Sequence, residues 1–426
     1  MNEKIKSWVT EIINLTEIAK KHPHSAYCAF THGLRHKYTY IFRTIPNIKD
    51  LLQPLENVIR KHFIPSITGD HCCNDVERKL LSLPPKLGGL GIINPMEIVE
   101  DQFKNSNSFT KSLKDQIIQQ DRIYKPAKEN EIRNEIRGRK LSRHRDILAE
   151  IENDSNDKMK LCLAIAQSNG ASNWLTSLPI KDEGFHLNKR EFWDAICLRF
   201  NWPIPFLPTM CVCSKPFDVS HSLSCKKGGF VTLRHNEVRD ITAEMLNEVC
   251  RNVSKEPALQ PLTGENFNRT AITTDEARVD VSARDFWTRG QQAFFDVRVF
   301  NPFAKHHINK SLTKSFEHNE KEKKRAYNLR VQEVEQGSFT PLVFSTTGGM
   351  ARECGTFYSR LSKMISEKRG DEISVVSAWI KTKINFSLIR STLMCLRGTR
   401  ALASSFKSFR ETDIVIASKM GNFDKI

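Results

Sequence analysis

Apolar residues recur at three- and four-residue intervals through the first 65 positions. Ile5, Trp8, Ile12, Leu15 and Ile18 share one helical face, and Leu51, Leu55, Val58 and Ile59 share another. Pro65 closes that stretch. Positions 81–95 read LSLPPKLGGLGIINP. Two adjacent prolines, a Gly pair and Gly91 predict a fixed turn anchored by Leu83, Leu87, Leu90 and Ile92, and Asn94-Pro95 predicts a helix start. Positions 97–165 are rich in charge and helix formers, and Lys125-Pro126 divides them into two long solvated helices. Positions 172–208 turn apolar and aromatic again, with Trp174, Phe185, Phe192, Trp193, Phe200 and Trp202. The three prolines of NWPIPFLP then mark a domain boundary.

From 235 the pattern changes to helix alternating with strand. Val238, Ile241, Met245, Leu246 and Val249 line one face of a helix. A short strand follows at RNVSK, ending at Glu256. ARVDVSA (277–283) and QQAFFDVRVF (291–300) predict two strands joined by DFWTRG. Positions 308–335 predict a charged helix, 337–349 a fourth strand, and 355–405 basic helices. The fold class expected is mixed: a mostly α-helical N-terminal half, then an α/β core in the order αβββαβ. The boundaries expected are 1–100, a helical connector 101–205, a small metal knuckle 206–234, the core 235–350, and a basic C-terminal region 351–426.

Composition narrows the function classes. Lys and Arg number 65 against 49 Asp and Glu, a formal net charge of +16 in 426 residues. A balance this basic points to a polyanionic partner. Mean hydropathy is −0.44, and no apolar run approaches the ~18–20 residues of a membrane span. The N-terminus mixes charges through an amphipathic pattern and lacks the apolar stretch of a signal peptide. Eleven Cys, scattered except for the pair Cys72-Cys73 and one cluster, without an export signal fit a reducing compartment better than a disulfide framework.

Cys211, Cys213, His221 and Cys225 fall as C-x-C-x7-H-x3-C. Thiolates and imidazole are the donors zinc takes in closed tetrahedral sites. A site of this size serves folding rather than catalysis, because no ligand position stays open. The alternative is free thiols beside a surface His.

Asp280 and Asp296 sit within two apolar strand segments, where Asp is disfavoured and costly to bury alone. Two such residues on neighbouring strands predict a shared cation. Mg²⁺ takes carboxylate oxygens and activates water toward a phosphodiester. Glu256 is a candidate third ligand. Arg298 lies two residues past Asp296 on the same strand face, and the following helix offers Lys323, Lys324 and Tyr327, with Lys323 and Tyr327 on one face. For each Asp alone, a salt bridge to an Arg such as Arg278 is the competing explanation.

At these residues the chain resembles the C-terminal part of non-LTR retrotransposon polyproteins that carry a restriction-like endonuclease. The Cys-Cys-His-Cys cluster is followed by Arg234-His235-Asn236, as such elements have a knuckle followed by an RHN-type motif. Arg278-Val279-Asp280 stands where the family has basic-Pro-Asp, and Asp296-Val297-Arg298 stands at its second acidic motif. Lys323, Lys324 and Tyr327 resemble its Lys/Tyr element, and LPPKLGGLGIINP resembles the segment after the reverse-transcriptase palm. The chain departs from the pattern at Val279 and at Arg298, and an Arg stays protonated and cannot act as a base.

The resemblance implies a PD-(D/E)XK nuclease core that nicks target DNA to prime reverse transcription. In it Asp280 and Asp296 bind Mg²⁺, Lys323 or Lys324 with Tyr327 orients water or phosphate, and the zinc knuckle with Arg234, His235 and Asn236 holds DNA. DNA is the partner implied, with element RNA as a second, in the nucleus and without a membrane. No Asp-Asp pair of a polymerase palm occurs, so polymerase activity is not expected. Two rival readings remain: an inactive zinc-containing nucleic-acid-binding protein of the same origin, and a helical scaffold whose charge serves solubility.

Overall fold

The helical period of the N-terminal half becomes helix where starts are capped and apolar faces are covered. The computed structural model describes residues 1–120, 129–260, 269–270, 273–274 and 277–398. Two units are formed. One comprises Met1–Lys160 with Leu178–Lys181 and His186–Trp202; the other comprises Leu161–Ser177, Asp182–Phe185 and the chain from Pro203 onward. The expected remnant lies in the first unit, the expected connector 101–205 is divided between the two, and the expected knuckle, core and C-terminal region share the second.

In the first unit, α1 (Asn2–Ala19) buries Ile5, Trp8, Ile12 and Leu15, whereas Ile18 is exposed. Helix α2 (Asp75–Ser82) begins with a capping box in which Asn74 and Glu77 satisfy each other's backbone N–H groups. Arg78 on α2 makes a buried bidentate pair with Glu56, at 2.6 and 2.8 Å, and also donates to the Ile92 carbonyl. Gly89, the second of the Gly pair, is required by packing: a Cβ there would lie 2.0 Å from the Leu83 carbonyl oxygen. Asn94 caps α3 (Pro95–Ile118), and α4 is Glu129–Asp154. The Lys125-Pro126 break lies outside the described residues. Helix α5 (Lys189–Phe200) starts from a second capping box, Asn188 with Glu191.

The second unit holds α6 (Val219–Ser224), α7 (Phe230–Val249), β1 (Arg251–Lys255), β2 (Val281–Arg284), β3 (Gln292–Phe300), α8 (Leu312–Glu333), β4 (Ser338–Ser345), α9 (Arg352–Arg369) and α10 (Ile373–Arg397). The four strands form one mixed sheet in the order β1-β2-β3-β4. The first two pairings are antiparallel, and β3 and β4 are parallel through the α8 crossover. A separate two-residue ribbon pairs Arg269–Thr270 with Thr273–Thr274.

Alternation along β3 divides the sheet faces. Ala293, Phe295 and Val297 join the larger core with residues of α7, α9 and α10, while Phe294 packs in a smaller cluster with Val331, Phe339 and Tyr327. Asp296 shares the parity of Phe294.

Two expectations need correction. The strand expected over 277–283 starts only at Val281, because Ala277–Asp280 leave the regular ladder. There the Ala277 and Asp280 carbonyls accept from Leu259 and Glu256 N–H, and Arg278 bridges Ala258. Asp280 therefore stands at the strand's mouth rather than within it. The region expected as basic C-terminal helices is helical and also packs into the core, outside the 235–350 bounds expected for it: Phe357, Tyr358, Leu361 and Ile365 on α9 and Ile380, Ile384 and Leu388 on α10 are buried. On α9, charge on the outer face masked an apolar inner stripe. Positions 399–405 lie outside the described residues. No helix among the described residues is long and apolar enough to cross a membrane.

Candidate functional site

Where β2 opens and β3 passes, two carboxylates meet. Asp296 is 3% exposed on β3, and Asp280 precedes β2. The Asp280 carboxylate is held at both oxygens: Oδ1 lies 2.8 Å from His235 Nε2, and Oδ2 accepts the Val297 backbone N–H at 2.6 Å. That bond exists because the chain leaves the ladder before Val281 and frees a strand amide for a side chain. It also fixes Asp280 beside the residue next to Asp296.

Asp296 faces α8, where Lys323 Nζ lies 2.5 Å from its Oδ2. Burial pushes the Asp296 carboxyl up to about 6; the charge of Asp280 adds to this, and Lys323 and His235 oppose it. A buried carboxylate near a second one needs more positive charge than Lys323 alone supplies. Tyr327, one turn on from Lys323, packs its ring on Phe339 and carries the Lys323 ammonium 5.6 Å from its ring centroid. Burial, then the charges of Asp296 and Asp280, raise its hydroxyl pKa.

The other candidates separate from this pair. Lys324 turns away to Glu353, at 2.7 Å, as adjacent helix positions must diverge by about 100°. Arg298 is exposed, donates to Asn319 and lies 3.8 Å from Glu322. Glu256 offers its backbone N–H to the Asp280 carbonyl, but its carboxylate pairs with Arg239. Arg234, expected on DNA, is 2% exposed; its guanidinium donates to the Leu223 carbonyl and to Cys395 Sγ. It is an internal strut between α6, α7 and α10. Its neighbour His235 reaches Asp280 instead, and Asn236 is half-buried on the same helix. Sequence reasoning missed the His235–Asp280 pair. Its only available signal was one His close upstream of the strands.

The Cys211, Cys213, His221 and Cys225 donor atoms all lie within 4.8 Å of one another. A tight turn makes the first pair converge: Ser214 N–H donates to the Cys211 carbonyl, Cys211 N–H donates to the Lys215 carbonyl, and Ser214 takes a left-handed φ of +63°. The second pair converges by helical spacing. His221 and Cys225 are four apart at α6, whose start Asp218 caps through the His221 N–H. The Cys211–Cys225 and Cys225–Cys213 sulfur separations are 3.8 and 3.9 Å, and Cys213 lies 3.3 Å from His221 Nε2. With metal–sulfur bonds of about 2.3 Å, a tetrahedron has sulfur–sulfur edges of about 3.8 Å. The cluster can hold a metal ion, and its donors and spacing are compatible with zinc.

Compared with protein-family models and with curated proteins, the chain gives no match.

Proposed function

We propose that the second unit is a metal-dependent DNA endonuclease of retroelement origin, built on a restriction-like core. The observation that carries the reading is the convergence of Asp280, Asp296 and Lys323 at one end of the sheet. The element order α7-β1-β2-β3-α8-β4 matches the αβββαβ arrangement the resemblance implies.

Asp280 and Asp296 would hold Mg²⁺, and their oxygen donors and excess negative charge suit a hard divalent cation. The ion, when bound, supplies Lewis acidity toward a phosphodiester and its attacking water. The chain's own residues do the rest. His235 and the Val297 amide fix the rotamer of Asp280. Lys323, at Asp296, is placed to offset charge on an attacked phosphate. Tyr327 shields the pair from one side. Zinc in the Cys₃His cluster would hold the start of α7 and thereby His235. Nicking of target DNA, which leaves a 3′-OH to prime reverse transcription, is the activity this reading assigns. A nuclear location and an association with element RNA belong to the same reading.

The test is nicking of supercoiled plasmid in Mg²⁺. Asp296→Ala should abolish it, a drop of at least about 10³-fold, with DNA binding retained. Equal nicking by variant and wild type would sink the assignment. If neither nicks while both bind DNA with a metal-loaded knuckle, the inactive nucleic-acid-binding reading takes its place.

A further inference from the structure

Beside the carboxylates lies a cavity of about 370 Å³, open to solvent. Its walls come from α6, the first turn of α7, the end of β3 and the loop after it. That loop is pinned to α6: Asn301 Nδ2 donates to the Ser220 carbonyl and to Ser224 Oγ, and Ser220 Oγ donates to the Phe303 carbonyl. The walls are therefore braced against the metal cluster.

Three observations bear on what enters. Val231 and Thr232 line the cavity in the first turn of α7, a twenty-residue helix that starts at Gly229 with no side-chain cap. The orphan N–H groups and the dipole of such an end favour an anion. His307, also in the lining, is 3% exposed, and its Nδ1 has no hydrogen-bond partner. Lastly, the accessible basic groups of the lining are Arg298, His235 and His306, and it holds not one carboxylate. Val299 and Phe300 add an apolar wall suited to a sugar or base.

We infer that this cavity binds a DNA backbone phosphate one step along the strand from the phosphate at Asp280 and Asp296. His235 links the two places, lining the cavity while bonding Asp280. Arg298 does so from the strand side, two residues past Asp296. Its role is then phosphate positioning, which fits its exposure and its lack of contact with Asp280 and Asp296. The identification of the anion's carrier as DNA rests on the endonuclease reading; the anion site itself does not.

The test uses the zinc-loaded full chain in buffer without Mg²⁺, where no nicking occurs, so an inactive carboxylate site leaves its result unchanged. Thr232 is exposed in the first turn of α7, where a carboxylate suits the helix. Thr232→Glu should therefore fold and place a fixed negative charge at the cavity mouth, with Thr232→Gln as its neutral match. Binding of a fluorescein-labelled DNA duplex, read by anisotropy, should weaken at least about tenfold in the Glu variant relative to the Gln variant. Inorganic phosphate should raise the melting temperature of Thr232→Gln and leave that of Thr232→Glu unmoved. Equal DNA affinity and equal phosphate response in the two variants would overturn the site. A phosphate response that differs between them, with DNA affinity that does not, would keep the anion site and overturn DNA as its ligand.

Discussion

Asp296 is the side chain whose surroundings ask most of the fold. Its carboxyl is pushed up to about 6 in the folded chain, against about 3.9 when unfolded. Between those values the unfolded chain has lost its proton while the folded chain keeps it. Stability is therefore fully present below about pH 4 and is lost as pH rises through about 6. We expect urea unfolding of the wild type in buffer without Mg²⁺ to show this decline, and Asp296→Asn to lack most of it; parallel pH profiles would contradict the assigned environment. A second comparison separates neighbours the sequence left equal. Lys323→Ala should cut nicking by about 10²-fold or more, whereas Lys324→Ala, which breaks only a half-exposed pair with Glu353, should retain activity within a few-fold. The two aspartates were legible because charge interrupts apolar segments. The choice of lysine was not, since the sequence carries no helix phase relative to the sheet. Arg234 misleads for a related reason: an Arg beside a knuckle looks like a phosphate contact until its burial is seen.

Elements were legible where period and caps agree. The helix over α7, the long strand β3 and the order of strands and crossover helix follow from their patterns. The start of β2 was not legible, because Ala277–Asp280 carry strand-like residues but bond to the chain after β1. The C-terminal helices resist placement from sequence for two reasons: on α9 five Lys and Arg are interleaved with seven buried residues, whereas α10 is buried at 14 of its 25 positions with no clean polar face to orient it. Phe357 on α9 shows the difference. It is fully buried, with ring centroids 4.7 Å from both Phe286 and Phe295. Phe357→Ala should cost about 3–5 kcal/mol in urea unfolding, while Lys363→Ala on the exposed face of the same helix should change stability by less than about 0.5 kcal/mol. The Cys₃His element makes a separate prediction. Purified protein should release about one zinc per chain on thiol modification, and Cys211→Ser/Cys213→Ser should release none and melt at lower temperature. Full zinc occupancy in that double variant would remove the cluster as the site.

For the whole molecule the open quantity is the charge of +16. Part of the positive charge is already committed: Lys323, Lys324, Arg239 and Arg369 each pair with a carboxylate. A surplus that remains after such pairing can serve solubility alone or attract a polyanion, and the two differ in their response to salt. If DNA is held through about six to ten phosphates, affinity should fall by about 10³–10⁵ between roughly 50 and 200 mM salt, linearly in the logarithms. Arg137, Lys140 and Arg145 stand exposed on α4, in the first unit. If that helix shares in binding, replacing all three with Ala should lower the slope by about 3, near one per lost phosphate contact. It should also weaken binding uniformly across DNA sequences, because phosphate contacts carry no base readout. An unchanged slope would confine DNA to the second unit. A wild-type affinity that ignores salt would return the charge to solubility and leave the scaffold reading standing, whatever metal the Cys₃His cluster holds.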